Sequence, residues 1–283
     1  MGSSGKAKSG TPFPSRALLL WPPTWRNRGG LVGAGSPAPV RHEGRAPALL
    51  VLHGFGGTPR EVGAMVEVAR RHGLAVSAPL LPGHGTHAGD LESKAFEDWL
   101  DAARTELDRL RTHGKVIVTG LSLGAVLAAR LAADVSSDVC GLALFANALH
   151  LASPYPARWL AVAQRLHLPR TWWIPKLCAD IEDPEQRPLH LGYDVELIGA
   201  AIEVYRGGIE TRARLQNITC PTLFVHGALD QVCPVRNVDR VVKALGTHDV
   251  RSVILPNSGH VVTEDRERDQ AVAALDAFVA RLL

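Results

Sequence analysis

From residue 47 onward the apolar positions alternate between short continuous runs and longer stretches with helical spacing. Ala48–His53 (ALLVLH), bounded by Pro47 and Gly54, predicts a buried strand. Arg60–His72 carries apolar residues at helical intervals, and Gly73 ends it. Ala75–Leu81 predicts a strand. In Phe96–Leu110, Phe96, Trp99, Leu100, Ala103, Leu107 and Leu110 fall on one helical face. Val116–Thr119 predicts a strand, Leu123–Ala133 a helix and Leu142–Ala146 a strand. The alternation resumes with strand Thr222–His226, helix Val235–Leu245, strand Arg251–Leu255 and helix Glu264–Leu282. Apolar strands separated by single helices imply a mostly parallel sheet covered on both faces, because each crossover lays a helix on the sheet.

Residues 149–217 break this rhythm. They hold Trp159, Trp172 and Trp173, three of the six tryptophans, together with six of the nineteen prolines. We expect a mostly helical insertion there, acting as a cap on an α/β core formed by 31–148 and 218–283. Residues 1–30 form a separate arm. Its first fifteen residues are small, polar and rich in Gly and Pro, too poor in apolar surface to offset the entropy of ordering, so a mobile arm is expected.

Charge sharpens that division. Residues 1–45 hold seven basic side chains against Glu43 alone, so the net charge of +3 conceals a basic arm and a body at −3. A nucleic-acid-binding protein would carry its basic stripe on the folded body, and none is present. Four cysteines without C-x-x-C spacing suggest reduced thiols rather than a disulfide scaffold or zinc ribbon. No run of about 18 apolar residues occurs. Pro22 and Pro23 cut short the only N-terminal apolar run, Ala17–Trp21, which predicts a cytoplasmic protein.

The chemistry concentrates at Gly120-Leu121-Ser122-Leu123-Gly124. This G-x-S-x-G follows a predicted strand and opens a predicted helix, the setting of a nucleophile elbow. A serine hydroxyl needs a base, and the base needs an orienting acid. Asp230 follows strand Thr222–His226, and His260 follows strand Arg251–Leu255, which gives the chain order Ser, Asp, His. Asp239 is the rival acid, but it falls in mid-helix, and no glycine elbow frames Cys233 as a rival nucleophile. His226, four residues before Asp230, is expected in the core or behind the site. His84-x-x-His87-x-x-Asp90 lies in a Gly-rich loop without the fixed geometry of metal ligands one helical turn apart. For the oxyanion, the N–H of Leu123 and that of Phe55, in the Gly-rich loop His53–Gly57, are the candidate donors.

Five blocks in this order, HGFGGTP (53–59), LPGHGTHAGD (81–90) with FEDW (96–99), GLSLG (120–124), ALDQVCP (228–234) and SGHVVTEDRERDQ (258–270), resemble the bacterial carboxylesterase and monoacylglycerol lipase group of the α/β-hydrolase superfamily. The resemblance runs from about Gly35 to the C-terminus. It implies an α/β-hydrolase fold with a cap, and ester hydrolysis with Ser122 as nucleophile, Asp230 as acid, His260 as base, and Phe55 and Leu123 as oxyanion donors. Gly56 stands where relatives often have a hydroxyl residue, and Ala125 where a second glycine is common. Residues 149–217 match poorly, so monoglyceride recognition does not transfer.

The reading of the residues gives a small-molecule ester, of short- to medium-chain acyl type or a monoacylglycerol, as substrate, with no metal or organic cofactor implied. Trp159, Trp172 and Trp173 are the candidate substrate-binding residues of an apolar acyl pocket. An unperturbed histidine base predicts a rate that falls below about pH 6. An amidase, thioesterase, acyltransferase or perhydrolase on the same fold stays open, as does a non-catalytic binding protein, since fold alone does not settle function. A dehalogenase or epoxide hydrolase would want Asp at position 122. Membrane-surface contact through the Trp-rich cap or the basic arm is a further expectation, and oligomeric state is unread.

Overall fold

The computed structural model describes residues 29–151, 173–176 and 179–283. Seven strands form one sheet: β2 (Val40–His42), β3 (Arg45–Leu52), β4 (Leu74–Ala78), β5 (Val116–Leu121), β6 (Val139–Phe145), β10 (Thr222–Gly227) and β11 (Val250–Leu255). Their spatial order is β2-β4-β3-β5-β6-β10-β11. All neighbours are parallel except β2, which pairs antiparallel with β4.

Period-two alternation sends successive residues of each strand to opposite faces. Ala48, Leu50 and Leu52 of β3 join a core with α2 (Phe96–Leu110) and α3 (Leu123–Asp134). Leu49 and Val51 face α1 (Gly63–Arg71) and α6 (Arg268–Leu282) instead. The continuous apolar runs read from the sequence thus belong to strands buried on both sides, and the mostly parallel sheet flanked by helices is as expected.

The chain leaves β3 outward to β4, then returns across it to β5 and proceeds outward the other way. The strand order therefore reverses between β3 and β5. In such sheets ligands bind at the carboxyl ends of the strands beside this reversal. The loop after β3 and the turn after β5 both lie there, and they hold the Gly-rich segment and Ser122.

Several elements differ from the sequence expectation. The strand predicted over Ala75–Leu81 ends at Ala78, the helix predicted over Val235–Leu245 shortens to α5 (Asn237–Val242), and α6 starts at Arg268 after turns. β2 was not expected, being only three residues long and not apolar throughout. Within 149–217, where a mostly helical insertion was expected, the described residues carry one long helix, α4 (Ile198–Arg212), and three short strands. β7 (Trp173–Pro175) pairs with β9 (Val195–Leu197), and β8 (Gly192–Tyr193) pairs with β1 (Leu31–Val32). Gly30 forms a bridge with His87, and Gly29 accepts the Ala88 N–H, so the end of the N-terminal arm is paired; the expected mobility of residues 1–28 lies outside the described residues. Among the described residues no helix is long and apolar enough to cross a membrane.

Candidate active site

The turn from β5 to α3 puts Ser122 at φ 56° and ψ −113°, a region that non-glycine residues rarely occupy. Holding a residue there costs on the order of 1–3 kcal/mol. The surroundings enforce it: the Ser122 N–H donates to the Phe145 carbonyl at 3.0 Å, and the Ser122 carbonyl accepts from Ala125 and Val126. Ser122 occupies the N-cap position of α3, yet its hydroxyl makes no cap hydrogen bond. The hydroxyl is thereby left for another partner, and the positive end of the helix dipole lies beside it.

That partner is His260. Ser122 Oγ lies 2.9 Å from His260 Nε2, and His260 Nδ1 lies 2.8 Å from Asp230 Oδ2. A carboxylate only accepts, so Nδ1 carries the proton and Nε2 accepts from the serine hydroxyl. The three residues are 9%, 8% and 9% exposed in the order Ser122, Asp230, His260. The structure thus brings together three side chains separated by up to 138 residues of sequence.

Asp230 is held on every side. Oδ1 accepts the Val232 and Cys233 N–H groups at 2.9 and 2.7 Å. Oδ2 receives His260 and also faces His226 Nε2 at 3.2 Å. That same Nε2 lies 2.9 Å from the Cys233 carbonyl, so its proton is shared between two acceptors. Burial opposes ionisation of Asp230, but the attraction and hydrogen bonds of His260 and His226 outweigh it and hold its carboxyl well below the ordinary carboxylate range. For His260, burial favours the neutral ring, but Asp230 and then Asp180 raise its pKa above the usual 6.5.

The loop after β3 is equally fixed. His53 is fully buried; its Nδ1–H donates to the Gly54 carbonyl and its Nε2 accepts the Leu81 N–H. Both nitrogens are used in the neutral ring, and burial pushes the His53 pKa well down. The Gly54 N–H donates to Glu61 Oε1 at 2.5 Å, and the Tyr193 N–H donates to the Gly56 carbonyl at 2.9 Å. The Phe55 ring meets His84 and Trp99 edge-on. Glu61 itself is buried, which raises its carboxyl pKa, with the charge of His190 opposing. His190 in turn donates to Glu264, four residues beyond His260. Phe55 and Leu123 therefore flank the serine on two braced segments.

Trp173 is 5% exposed, its ring against His87 and close to Gly29, so it packs in the core. Trp159 and Trp172, the other two candidate substrate-binding residues, lie outside the described residues. Asp239 is exposed on α5. Cys233 is fully buried, and burial pushes its thiol well above 9. Asp230, Cys233 and His260 present atoms within 4.8 Å of one another, but a protonated thiol and a proton-bearing Nδ1 are poor metal ligands. His84 is buried among aromatic rings, with Nδ1–H donating to the Pro82 carbonyl and its pKa lowered to about 4 by burial. His87 Nδ1 caps the following turn by accepting the Gly89 N–H. The two rings thus serve different local roles.

Glu61, Asp180, His190 and Tyr193 were not singled out from the sequence. The partners of Asp180, His190 and Tyr193 lie far along the chain, so no local pattern marks them. For Glu61 a usable signal exists: a lone acid directly after a Gly-rich loop that has N–H groups to satisfy.

A family model described as serine aminopeptidase, S33, matches residues 45–267. A thermostable monoacylglycerol lipase from Bacillus sp. (strain H-257) is 29% identical over 244 residues, covering 86% of this chain and 94% of its own. A carboxylesterase from Bacillus subtilis (strain 168) is 23% identical over 251 residues, covering 87% and 98%. A solved structure reported with LipS and LipT, two metagenome-derived lipolytic enzymes, superposes with a TM-score of 0.80 at 25% identity. It covers 88% of this chain and 99% of that one.

Proposed function

The chain belongs to the serine aminopeptidase S33 family and has the α/β-hydrolase fold, and from that premise we propose that it hydrolyses carboxylic esters with Ser122 as nucleophile. The observation that carries the reading is the hydrogen-bond chain from Ser122 through His260 to Asp230. Ser122 Oγ attacks the ester carbonyl carbon as its proton passes to His260 Nε2. The tetrahedral oxyanion accepts hydrogen bonds from the Phe55 and Leu123 N–H groups, the latter being the first of α3 and without an intrahelical partner. The bond to the alcohol oxygen then breaks, and His260 gives that oxygen its proton. Water attacks the acyl-enzyme with His260 again as base, releasing the acid and restoring the serine. Asp230 keeps the proton on Nδ1 and stabilises the imidazolium formed in each step. No metal or organic cofactor enters the scheme.

Short- to medium-chain acyl esters, monoacylglycerols among them, are the substrates we favour, on the strength of the monoacylglycerol lipase and carboxylesterase relatives. The described cysteines Cys140, Cys220 and Cys233 are free thiols, which supports a reducing, cytoplasmic setting.

The test is a p-nitrophenyl ester series from acetate to palmitate, with an aminoacyl p-nitroanilide beside it. We expect ester turnover with an optimum at short or medium chain length, and its loss in Ser122→Ala. Turnover of the anilide alone, or an unchanged rate in Ser122→Ala, overturns the reading.

The pH profile follows from His260. The base must be neutral to accept the serine proton, and its pKa is raised above 6.5. The midpoint of the acid limb of kcat/KM therefore lies above pH 6.5, the midpoint expected of an unperturbed ring. A profile flat from pH 8 down to pH 5 would remove His260 from the role of base.

A further inference from the structure

The segment 179–183 enters from the insertion and touches both loops that carry the acid and the base. The Asp180 carbonyl accepts the N–H of His260 itself at 2.9 Å and that of Val261 at 3.1 Å. Asp180 Oδ2 accepts the N–H of Gln231, the residue after Asp230, at 2.9 Å. The fit is close enough that a Cβ on Gly259 would lie 2.7 Å from Asp180 Oδ1, so the residue before the histidine has no room for a side chain. Asp265, fully buried, completes the attachment. It accepts the Glu182 and Asp183 N–H groups from the insertion and the Gly259 N–H from the histidine loop, at 2.7 to 3.0 Å.

We propose that Asp180 is a positioning residue for the base, a second carboxylate supplied by the insertion that ties the His260 loop to the Asp230 loop. The proposal rests on the reading of His260 as general base. One residue uses its main chain to set where His260 begins and its side chain to set where the Asp230 loop turns. The distance between Nδ1 and Oδ2 then depends on the insertion being seated. The Asp180 carboxylate also adds negative charge near the imidazole. Among the described residues, the charged and titratable groups around His260 are Asp230 from the loop after β10 and Asp180 and Lys176 from the insertion, with the Cys233 thiol and His226 behind Asp230. Glu182 adds its charge to Asp180. Of these, Asp230 and Asp180 favour the imidazolium and Lys176 disfavours it.

Two substitutions separate the charge from the tie. Asp180→Asn keeps an oxygen for the Gln231 N–H but removes the charge. Asp180→Ala removes both, while the carbonyl bonds to His260 and Val261 survive in each. In Asp180→Asn the acid limb of kcat/KM is expected to move down by about half a pH unit, with plateau kcat within about threefold of wild type. In Asp180→Ala the same shift is expected together with a fall in plateau kcat of about tenfold. Titration of the His260 ring by NMR in the full chain gives the same comparison without turnover. An acid limb and a ring titration in Asp180→Asn that superimpose on wild type overturn the proposal. So does an equal kcat loss in both variants with no pH shift, since that is the behaviour of a merely structural residue. If wild type cleaves no ester but the ring titration moves, the ester reading fails and the Asp180 tie stands.

Discussion

Asp230→Asn should lower kcat by about 10⁴-fold and leave KM nearly unchanged, the scale set when a triad histidine is left in the wrong tautomer. The size follows from what surrounds the carboxylate. All four of its partners are donors: the Val232 and Cys233 N–H groups at Oδ1, and His260 Nδ1–H and His226 Nε2–H at Oδ2. An asparagine must put its NH₂ against one of these pairs. Against the backbone pair it opposes two N–H groups that cannot turn. Against the histidines it drives the His260 proton from Nδ1 to Nε2, where it blocks acceptance of the Ser122 proton. The proposed ester substrate still meets the same loop after β3 and the same surface, so ground-state binding should be preserved and the loss should appear in kcat. Steady-state kinetics on the best p-nitrophenyl ester, beside the wild type at plateau pH, would measure it. A kcat within about tenfold of wild type would mean that another acid orients His260, with Asp180 the first to examine.

The residues proposed as a triad stood out in the sequence because each is marked locally. Ser122 lies between two glycines at a strand-to-helix switch, and Asp230 and His260 each follow a short apolar run that ends at a loop. The central strands were readable for the same reason: burial on both faces leaves β3, β5, β6 and β10 as continuous apolar segments. What could not be read depends on partners distant in the chain. Glu61 is the exception, since its partner, the Gly54 N–H, is only seven residues back in the Gly-rich loop. Asp180 lies in a segment without periodicity, and its meaning comes from contacts with residues 51 and 80 positions away. The short strands β1, β7, β8 and β9 have two or three residues each, too few for alternation to register, and they exist through antiparallel pairing with one another. Trp173 shows how an aromatic residue can be read in two ways. Aromatic content suggests a ligand pocket, but a tryptophan beside glycines such as Gly29 also fills the space that their missing side chains leave.

The glycines of the elbow carry the second large effect. A Cβ at Gly124 would lie 2.0 Å from the Leu52 carbonyl oxygen and 2.8 Å from that of His53. Both are main-chain atoms of β3 or its end, so no side-chain rotation relieves the overlap. Gly124→Ala must push the start of α3 away from β3. Overpacking of this kind costs about 3 kcal/mol, or roughly 6–12 °C in Tm for a domain near this size. The catalytic loss should exceed what the melting temperature conveys. Leu123 lies on the α3 side of the contact, and Phe55 follows His53 on the β3 side. Displacing one element from the other therefore separates the two N–H groups proposed to bind the oxyanion, and losing one such donor costs about 10²–10³-fold in kcat. Gly63→Ala is the matched control, because nothing lies within 4 Å of a Cβ there; it should melt at or slightly above wild type and turn over normally. Thermal unfolding and kcat measured on the pair separate the two explanations. A lowered Tm in Gly124→Ala with kcat kept at a temperature where both variants are folded would show that Gly124 serves only the general helix–strand contact. A large kcat loss confined to Gly124→Ala at a temperature where both variants are folded would tie the glycine to the spacing of the oxyanion donors.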